Sequence, residues 1–359
     1  MLPRLAAEFG TTVSAASLVI TSFAAAYAAT VLVQGPLGDR YGKLRIVTIG
    51  TALAGAASLA CAAAWDLGSL AAGRFLMASF ASAPMALGMA YIGDVVPLGA
   101  RQTTIARFVA GSIFGQTLGP LFGGLLTDRA GWRSCFVVIA AVFFAAAAAL
   151  FVRTARGWPA VAAGRFAPLA THAGLLALRA MRWLVAIGIA ETFFFFGAFV
   201  FLGAFFRLRF DLSYTLIGLL LAGYGIGGLI YSALVRWLLR VLGERGLVVA
   251  GGLLALAAFV AIILSPHWLY AIPCTIALGA AFYLVHNTIQ TKATEVAPGA
   301  RGSAVALYAC AWAAGQALGA AAAGIAVAWI GYASAIGAFA LGFALLGFWL
   351  RYNLWRLRP

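Results

Sequence analysis

The sequence carries little charge: Asp, Glu, Lys and Arg make up 9% of its 359 residues, against about 25% in ordinary soluble domains. Acidic residues are the scarcest, with 9 against 24 basic ones, so the formal net charge is +15. Apolar residues make up 64% of the chain, far more than so few charges can cover on a soluble surface. The composition excludes a soluble globular protein and a disordered chain, and it favours a protein embedded in lipid.

Common signatures of catalysis and metal binding are also missing. The four cysteines form no CxxC pair, and the chain contains no Walker A, HExxH or GxSxG sequence. We therefore predict that the protein is not an enzyme and holds no metal or other cofactor. The basic residues lie between apolar runs, which is typical of membrane orientation, so we predict no nucleic-acid partner.

Long apolar runs dominate the sequence, and each approaches the roughly 20 residues that a membrane-spanning helix needs. The runs do not alternate between apolar and polar residues, which favours helices over the strands of a closed barrel. We count eleven runs: 14–34, 46–65, 68–92, 104–126, 134–152, 183–206, 213–235, 246–265, 268–290, 303–327 and 330–350. The predicted fold class is an all-α, polytopic membrane protein.

The basic residues are divided unequally between the two sides of these helices. Eighteen of the 24 lie on one side, the Arg-rich side, which includes the C-terminus. The Arg-poor side holds Arg4, Arg74, Arg129, Arg133, Arg207 and Arg209. Because positive residues favour the cytoplasmic side, we predict a multi-pass inner-membrane protein with a cytoplasmic C-terminus. We expect a monomer whose partners are the lipid bilayer and a small-molecule substrate.

The chain repeats itself with an offset near 200 residues: the segment 99–119 (GARQTTIARFVAGSIFGQTLG) returns as 299–319 (GARGSAVALYACAWAAGQALG). Duplicated halves are typical of transporters that bind substrate between them. The predicted domains are an N-terminal half-bundle (1–152), a basic cytoplasmic linker (153–182) and a C-terminal half-bundle of six helices (183–359).

In this register the run 14–34 matches 213–235, so the run 183–206 has no counterpart in the first half. The halves measure 152 and 177 residues, and the difference is about one membrane helix. We expect a first helix to be encoded upstream of Met1. The alternative is an eleven-helix protein with its N-terminus outside.

The segment 35–45 (GPLGDRYGKLR) resembles the signature loop of the major facilitator superfamily. The matching positions are Gly35, Leu37, Asp39, Arg40, Gly42 and Lys43. The resemblance implies a two-half helix bundle with eleven of the family's twelve helices present. It also implies a conformational latch in which Asp39 and Arg40 meet the second half and the acidic helix end at Asp94. The alternative is a plain basic turn.

A second motif lies in 111–124 (GSIFGQTLGPLFGG). Its four glycines spaced by four would line one helix face and let another helix come close; they are Gly111, Gly115, Gly119 and Gly123. The segment resembles the family's antiporter motif, which is most typical of drug/proton exporters. The matching positions are Gly115, Gly119, Pro120, Gly123 and Gly124. Generic small-residue packing is the alternative.

Glu191 differs from the other acidic residues, which lie at predicted helix ends. It lies eight residues into the run 183–206, where an ionised carboxylate costs about 2.5–3.5 kcal/mol. We therefore predict that Glu191 exchanges a proton for a cationic substrate. The alternative is a structural carboxylate bonded to a neighbouring helix or to Arg182.

Four further polar residues are candidates for the proton-coupling or substrate site. Arg74 resembles the conserved Arg of the family's fourth helix, with a snorkelling side chain as the alternative. His286 approaches the cytoplasmic mouth, with a structural role as the alternative. Gln116 and Gln316 are equivalent in the repeat and either bond across the pseudo-twofold, contact substrate or pack helices. The phenylalanines of 193–201 either line an aromatic cavity suited to lipophilic cations or face lipid.

These features predict a secondary active transporter that works by alternating access. Its predicted activity is efflux of drug-like compounds or metabolites, with the proton gradient as the energy source. The alternatives are an uptake permease for a sugar or organic acid, and a truncated paralogue that transports nothing.

Overall fold

The computed structural model describes residues 1–154, 168–297 and 301–357, and this part of the chain is helical without a strand. The helices are α1 (Leu2–Glu8), α2 (Val13–Ala16), α3 (Leu18–Tyr41), α4 (Lys43–Ala62), α5 (Leu67–Val95), α6 (Leu98–Ala130), α7 (Trp132–Thr154), α8 (Pro168–Ala177), α9 (Arg179–Phe199), α10 (Leu202–Phe210), α11 (Tyr214–Leu264), α12 (Ala271–Glu295) and α13 (Arg301–Asn353). Short 3₁₀ turns lie at Trp268–Tyr270 and Leu354–Leu357.

Eight helical stretches in the described residues are long and apolar enough to cross a membrane. Two of them, α11 and α13, are each a pair of helices that meet at a glycine with positive φ, Gly243 and Gly331. The helix α6 has 33 residues, which is also sufficient to span a bilayer. With these segments included, each of the eleven predicted runs maps onto helix, and the chain is an all-α, multi-pass membrane protein.

The predicted loop over 35–45 is mostly helix. The helix α3 continues to Tyr41, and α4 begins at Lys43. The chain reverses at Gly42, whose φ of 95° is open to glycine and costly for residues with a Cβ. One glycine is enough for the turn, so the prediction of a loop between the two helices holds at Gly42 and is wrong for the rest of that segment.

The turns follow the sequence repeat. Gly131 (φ 81°) joins α6 to α7, and Gly331 (φ 79°) makes the same kind of turn 200 residues later. Gly42 and Gly243 form a second such pair. A glycine with positive φ therefore recurs at matching places in the two halves.

The two halves meet along two helix pairs, α6 with α11 and α3 with α13. The larger apolar core lies in the C-terminal half, and a smaller one in the N-terminal half surrounds Trp132 and Phe136. Within the predicted linker 153–182, α8 contacts α9 and α13, while residues 155–167 lie outside the described part of the chain.

Candidate functional site

Glu191 lies at the centre of a hydrogen-bonded cluster that joins three helices of the C-terminal half. Its carboxylate is 0% exposed. Glu191 Oε1 lies 3.0 Å from Nδ1 of His286 on α12, and Tyr308 Oη on α13 donates to Oε2 over 3.0 Å. Tyr308 Oη and His286 Nδ1 are themselves 3.1 Å apart. The structure therefore brings together two of the predicted site residues, Glu191 and His286, and adds Tyr308.

Small residues and aromatic rings hold the cluster in place. Gly188 lies one turn before Glu191, and a Cβ there would stand 2.9 Å from the Tyr308 ring, so only glycine leaves the ring its place. The His286 ring stacks on Phe282 with centroids 4.9 Å apart and an interplanar angle of 15°. Thr192, the residue that follows Glu191 on α9, donates to the Trp312 carbonyl at 2.8 Å. These contacts fix α9, α12 and α13 around a buried acid.

Glu191 has no hydrogen bond to Arg182. Arg182 donates instead to the backbone carbonyls of Leu176 and Ala177, at 3.1 and 2.9 Å. The alternative interpretation is therefore wrong as to Arg182, while its other form, a carboxylate bonded to a neighbouring helix, agrees with the contacts of Glu191. Within the described residues the hydrogen-bond partners of Glu191 are His286 and Tyr308, both from neighbouring helices.

The two halves are joined by hydrogen bonds at their Arg-poor ends. The Asp128 carboxylate, at the end of α6, accepts from the backbone N–H groups of Tyr214 and Thr215 at 3.1 and 2.6 Å, and from the Thr215 hydroxyl at 2.7 Å. It thus caps the first turn of α11 in the other half. Ser14 also donates to the Gly324 carbonyl at 2.5 Å.

A further hydrogen bond between the halves lies midway across the molecule. Tyr283 on α12 donates to Gln116 Oε1 on α6 over 3.4 Å. Among the described residues, the hydrogen bonds between the halves lie at this level or nearer the Arg-poor end. The described hydrogen bonds between the halves therefore hold the Arg-poor end and the middle of the molecule, and His286 lies one turn from Tyr283 on α12.

The antiporter-type motif packs on a different face from the predicted one. No described atom lies within 4 Å of a Cβ built at Gly111, Gly115, Gly119 or Gly123. Close packing against α11 occurs instead at Gly124, where a Cβ would stand 2.1 Å from the Tyr214 carbonyl oxygen.

Glycines of α11 complete this contact. A Cβ at Gly218 would stand 2.2 Å from the Pro120 carbonyl oxygen, and one at Gly225 would stand 1.9 Å from Thr117 Oγ1. The prediction of close helix approach holds for this helix pair, but the predicted face is wrong. A cavity of about 280 Å³ borders the contact and is lined in part by Pro120, Gly123 and Tyr214.

The latch segment makes its ion pair within the N-terminal half. Lys43 Nζ lies 2.5 Å from Asp94 Oδ2, so the partner of Asp94 is Lys43. The Arg40 guanidinium lies 5.3 Å from the centre of the Tyr41 ring, and the Asp39 side chain lies outside the described part of the chain. A Cβ built at Gly35 would have no described atom within 4 Å. Gly42 makes the turn between α3 and α4.

Arg74 and Gln316 lie away from the Glu191 cluster. The Arg74 guanidinium stacks 4.1 Å from the centre of the Phe23 ring, inside the N-terminal half. Gln316 is half-buried on α13 and forms no side-chain hydrogen bond within the described residues. Gln116 bonds to Tyr283, not to Gln316 across the pseudo-twofold.

The phenylalanines that follow Glu191 are packed inside the C-terminal half. Phe195 and Phe201 are fully buried, and Phe193 and Phe194 contact Phe339. The lipid-facing interpretation is therefore wrong for Phe195 and Phe201, while Phe193 and Phe194 are half-buried. Sequence reasoning missed Tyr308, for which the available signal is a lone hydroxyl in the apolar stretch 304–311.

Three curated relatives align with parts of this chain. The efflux pump radE of Floropilus chiversii is 32% identical over 140 residues, which are 39% of this chain and 26% of that protein. The riboflavin transporter RibZ of Clostridioides difficile is 30% identical over 136 residues, 38% of this chain and 30% of that protein. The probable actinorhodin transporter of Streptomyces coelicolor is 29% identical over 140 residues, 38% of this chain and 24% of that protein. The chain thus aligns with less than a third of each relative's length.

Two solved structures superpose on nearly the whole chain. A bacterial homologue of the human lysosomal transporter Spinster gives a TM-score of 0.74 at 18% identity, covering 99% of this chain and 92% of that one. The nucleoside transporter NupG gives 0.76 at 13% identity, covering 96% and 92%. At these identities the likeness concerns the fold. A family model described as Major Facilitator Superfamily matches residues 1–320 and 210–359. The chain therefore belongs to the Major Facilitator Superfamily, a family of transporters and not of enzymes, as its two motifs predict.

Proposed function

We propose that this protein moves a small organic molecule across the cytoplasmic membrane by alternating access, and that proton entry drives export of the substrate. The observation that carries the proposal is a fully buried carboxylate, Glu191, bonded to His286 on a neighbouring helix. A charge in such a place is costly and marks a proton or ion pathway in membrane proteins.

The arrangement of the two halves supports alternating access. Within the part of the chain that the structure describes, their hydrogen bonds lie at the Arg-poor end and in the middle of the molecule. The ion pairs of the Arg-rich end, Lys43–Asp94 and Lys292–Glu244, stay within one half each. A rocking motion therefore breaks a small set of bonds at one end while each half moves as a unit.

Export is favoured over uptake by the antiporter-type motif, whose Gly124 and Pro120 form the contact between the halves. We place the Arg-rich side and the C-terminus in the cytoplasm, following the distribution of basic residues. The substrate then enters a cleft between the halves from the cytoplasm, and the inward proton gradient supplies the free energy. The protein needs no cofactor in this scheme.

Reconstituted vesicles provide the test. Vesicles containing the purified protein are given an imposed pH gradient, and uphill movement of a fluorescent lipophilic cation is recorded. We expect Glu191→Gln to abolish uphill movement but to retain exchange of labelled for unlabelled probe across the membrane. Asp211→Asn is the matched control, because Asp211 is an exposed acid of the same half. Uphill movement at the wild-type rate in Glu191→Gln would contradict the role of the carboxylate.

Whole-cell accumulation separates the alternatives. Cells that contain the protein should accumulate less probe than cells without it. When the proton gradient is collapsed, the two kinds of cell should accumulate equal amounts. Higher accumulation would indicate an uptake permease. No exchange in vesicles with any of a panel of cationic, neutral and anionic probes would indicate a paralogue that transports nothing.

A further inference from the structure

One nitrogen of the Glu191 cluster, Nε2 of His286, remains available to bind a proton. The three contacts of the cluster use the Glu191 oxygens, Tyr308 Oη and His286 Nδ1. Nε2 forms no hydrogen bond within the described residues, and it is not one of the buried side-chain atoms without a partner. The His286 side chain is 12% exposed while that of Glu191 is 0% exposed. Water in the cleft therefore reaches the imidazole and not the carboxylate.

The geometry assigns the hydrogens of the cluster. With Glu191 ionised and a hydrogen on Nδ1, Tyr308 donates to Oε2 and Nδ1–H is shared between Oε1 and Tyr308 Oη. Each of the three contacts then carries a hydrogen, and every hydrogen has an acceptor. If Nδ1 lacks a hydrogen and Glu191 is ionised, Nδ1 and Oε1 are two acceptors 3.0 Å apart. If Glu191 is protonated and donates to Nδ1, the contact between Tyr308 and Nδ1 has no hydrogen.

We propose that His286 Nε2, and not the Glu191 carboxylate, takes the proton from the cleft, and that the exchanged substrate is an organic cation. The inference rests on the proposed function and names its proton-binding atom. A hydronium ion in the cleft gives its proton to the Nε2 lone pair and leaves as water. The charge of the cluster changes from −1 to 0, with Glu191 ionised throughout as the counter-charge of the imidazolium.

The other groups around the imidazole support a cationic substrate. The groups that face it are Glu191 on α9, Tyr308 on α13 and Tyr283 on α12. Lys292, further along α12, is bound by Glu244 and Glu295, at 3.0 Å each. Among the described residues the unprotonated cluster therefore carries one negative charge without a basic partner, and this charge attracts a cation. The protonated cluster is neutral and releases the cation. Because Glu191 is enclosed, the substrate meets the His286 ring and the adjacent Tyr283 ring.

Nitrogen-15 NMR tests the assignment on the native residue. The chain has three histidines, so His172→Gln with His267→Gln leaves His286 as the one labelled ring. In membranes, we expect Nδ1 to carry a hydrogen at every pH, and Nε2 to change from unprotonated to protonated as the pH falls. A hydrogen on Nε2 at alkaline pH, or a ring that never titrates, would overturn the proposal.

Transport measurements separate this proposal from the proposed function. His286→Gln should weaken binding of the cation, because it removes a ring that the substrate meets, and should lose the pH dependence of the net transport that remains. Tyr308→Phe should keep a pH dependence with a shifted midpoint, since Nε2 is still present. A His286→Gln variant with the wild-type pH profile would overturn the proton-binding role of Nε2 and leave transport itself intact. Loss of all exchange in the wild-type protein would contradict the proposed function, while the NMR titration would still decide which atom binds the proton.

Discussion

The two halves carry the same glycine spacing on equivalent helices but use it differently. In the C-terminal half, a Cβ at Gly315 or Gly319 would stand 2.3 or 2.4 Å from carbonyl oxygens of α9. At the equivalent Gly115 and Gly119, no described atom lies within 4 Å of a Cβ. The repeat therefore predicts where glycines recur, but the neighbouring helix decides whether the glycine is required.

The largest expected effect is a difference between alanine substitutions at these equivalent glycines of the two halves. Gly319→Ala places a methyl group against the Phe193 carbonyl, and such overpacking costs about 1–3 kcal/mol. Gly119→Ala adds a methyl group in open space and stabilises a helix interior by roughly 0.5–1 kcal/mol. The two variants should shift the thermal unfolding temperature in detergent in opposite directions. Gly315→Ala and Gly115→Ala repeat the comparison at the preceding turn, and shifts of the same sign in both halves would contradict it.

The second-largest expected effect concerns the hydrogen bonds that Asp128 makes between the two halves. Asp128→Asn should weaken the cap on α11 by up to about 1 kcal/mol, because it removes a negative charge from the start of the helix and leaves one acceptor oxygen where the carboxylate uses two. That change corresponds to a roughly fivefold shift away from the state closed at the Arg-poor end. Spin labels at Ala7→Cys and Trp329→Cys, in a chain freed of its native cysteines, would report the distance between the halves.

Asp66→Asn is the matched control for this measurement. Asp66 caps α5 by accepting from Ser69 N–H at 2.6 Å, but this bond stays within the N-terminal half. The control should therefore lower stability without changing the distance between the labels. An unchanged distance distribution in Asp128→Asn, or an equal change in both variants, would contradict a role for Asp128 in holding the halves together.

The fold could be predicted from the sequence because lipid leaves few choices for the backbone. A run of about 20 apolar residues must satisfy its own hydrogen bonds, so it forms a helix wherever it lies in the chain. The repeat places the turns, since Gly131 and Gly331 adopt the same positive φ. The extent of helix around 35–45 could not be predicted, because Gly42 alone reverses a chain that could equally turn over several residues.

The site could be predicted only in part, because its contacts join distant segments. Glu191 is recognisable from one segment as a carboxylate in the middle of an apolar helix. Its partners are 95 and 117 residues away along the chain, and no local pattern pairs them. The contact face of α6 escaped prediction for the same reason, since the glycine spacing describes one helix and the packing depends on two.

The smallest expected effect concerns the carboxylate clamp, the pair of hydrogen bonds that Glu8 accepts from Trp132 and Arg133, which the second half does not repeat. Glu8 accepts hydrogen bonds from Trp132 Nε1 at 2.5 Å and from Arg133. The counterparts of these donors in the second half are Tyr332 and Ala333, of which Ala333 has no side-chain donor. The clamp should therefore stabilise the N-terminal half alone.

The pH dependence of stability should reveal this clamp. The hydrogen bond from Arg133, followed by that from Trp132, lowers the pKa of Glu8 below its usual range. Because the folded pKa is the lower one, the stabilisation is present above the unfolded pKa and is lost as the pH falls through the lowered value. Glu8 is more than a third exposed, so the contribution should stay below about 1 kcal/mol. Glu8→Gln should unfold at a lower temperature than the wild type at neutral pH, and the difference should vanish in acid. Asp211→Asn is the control, because Asp211 forms an exposed ion pair of the second half, and it should differ little from the wild type at either pH. If the difference for Glu8→Gln persists in acid, packing and not charge holds the clamp.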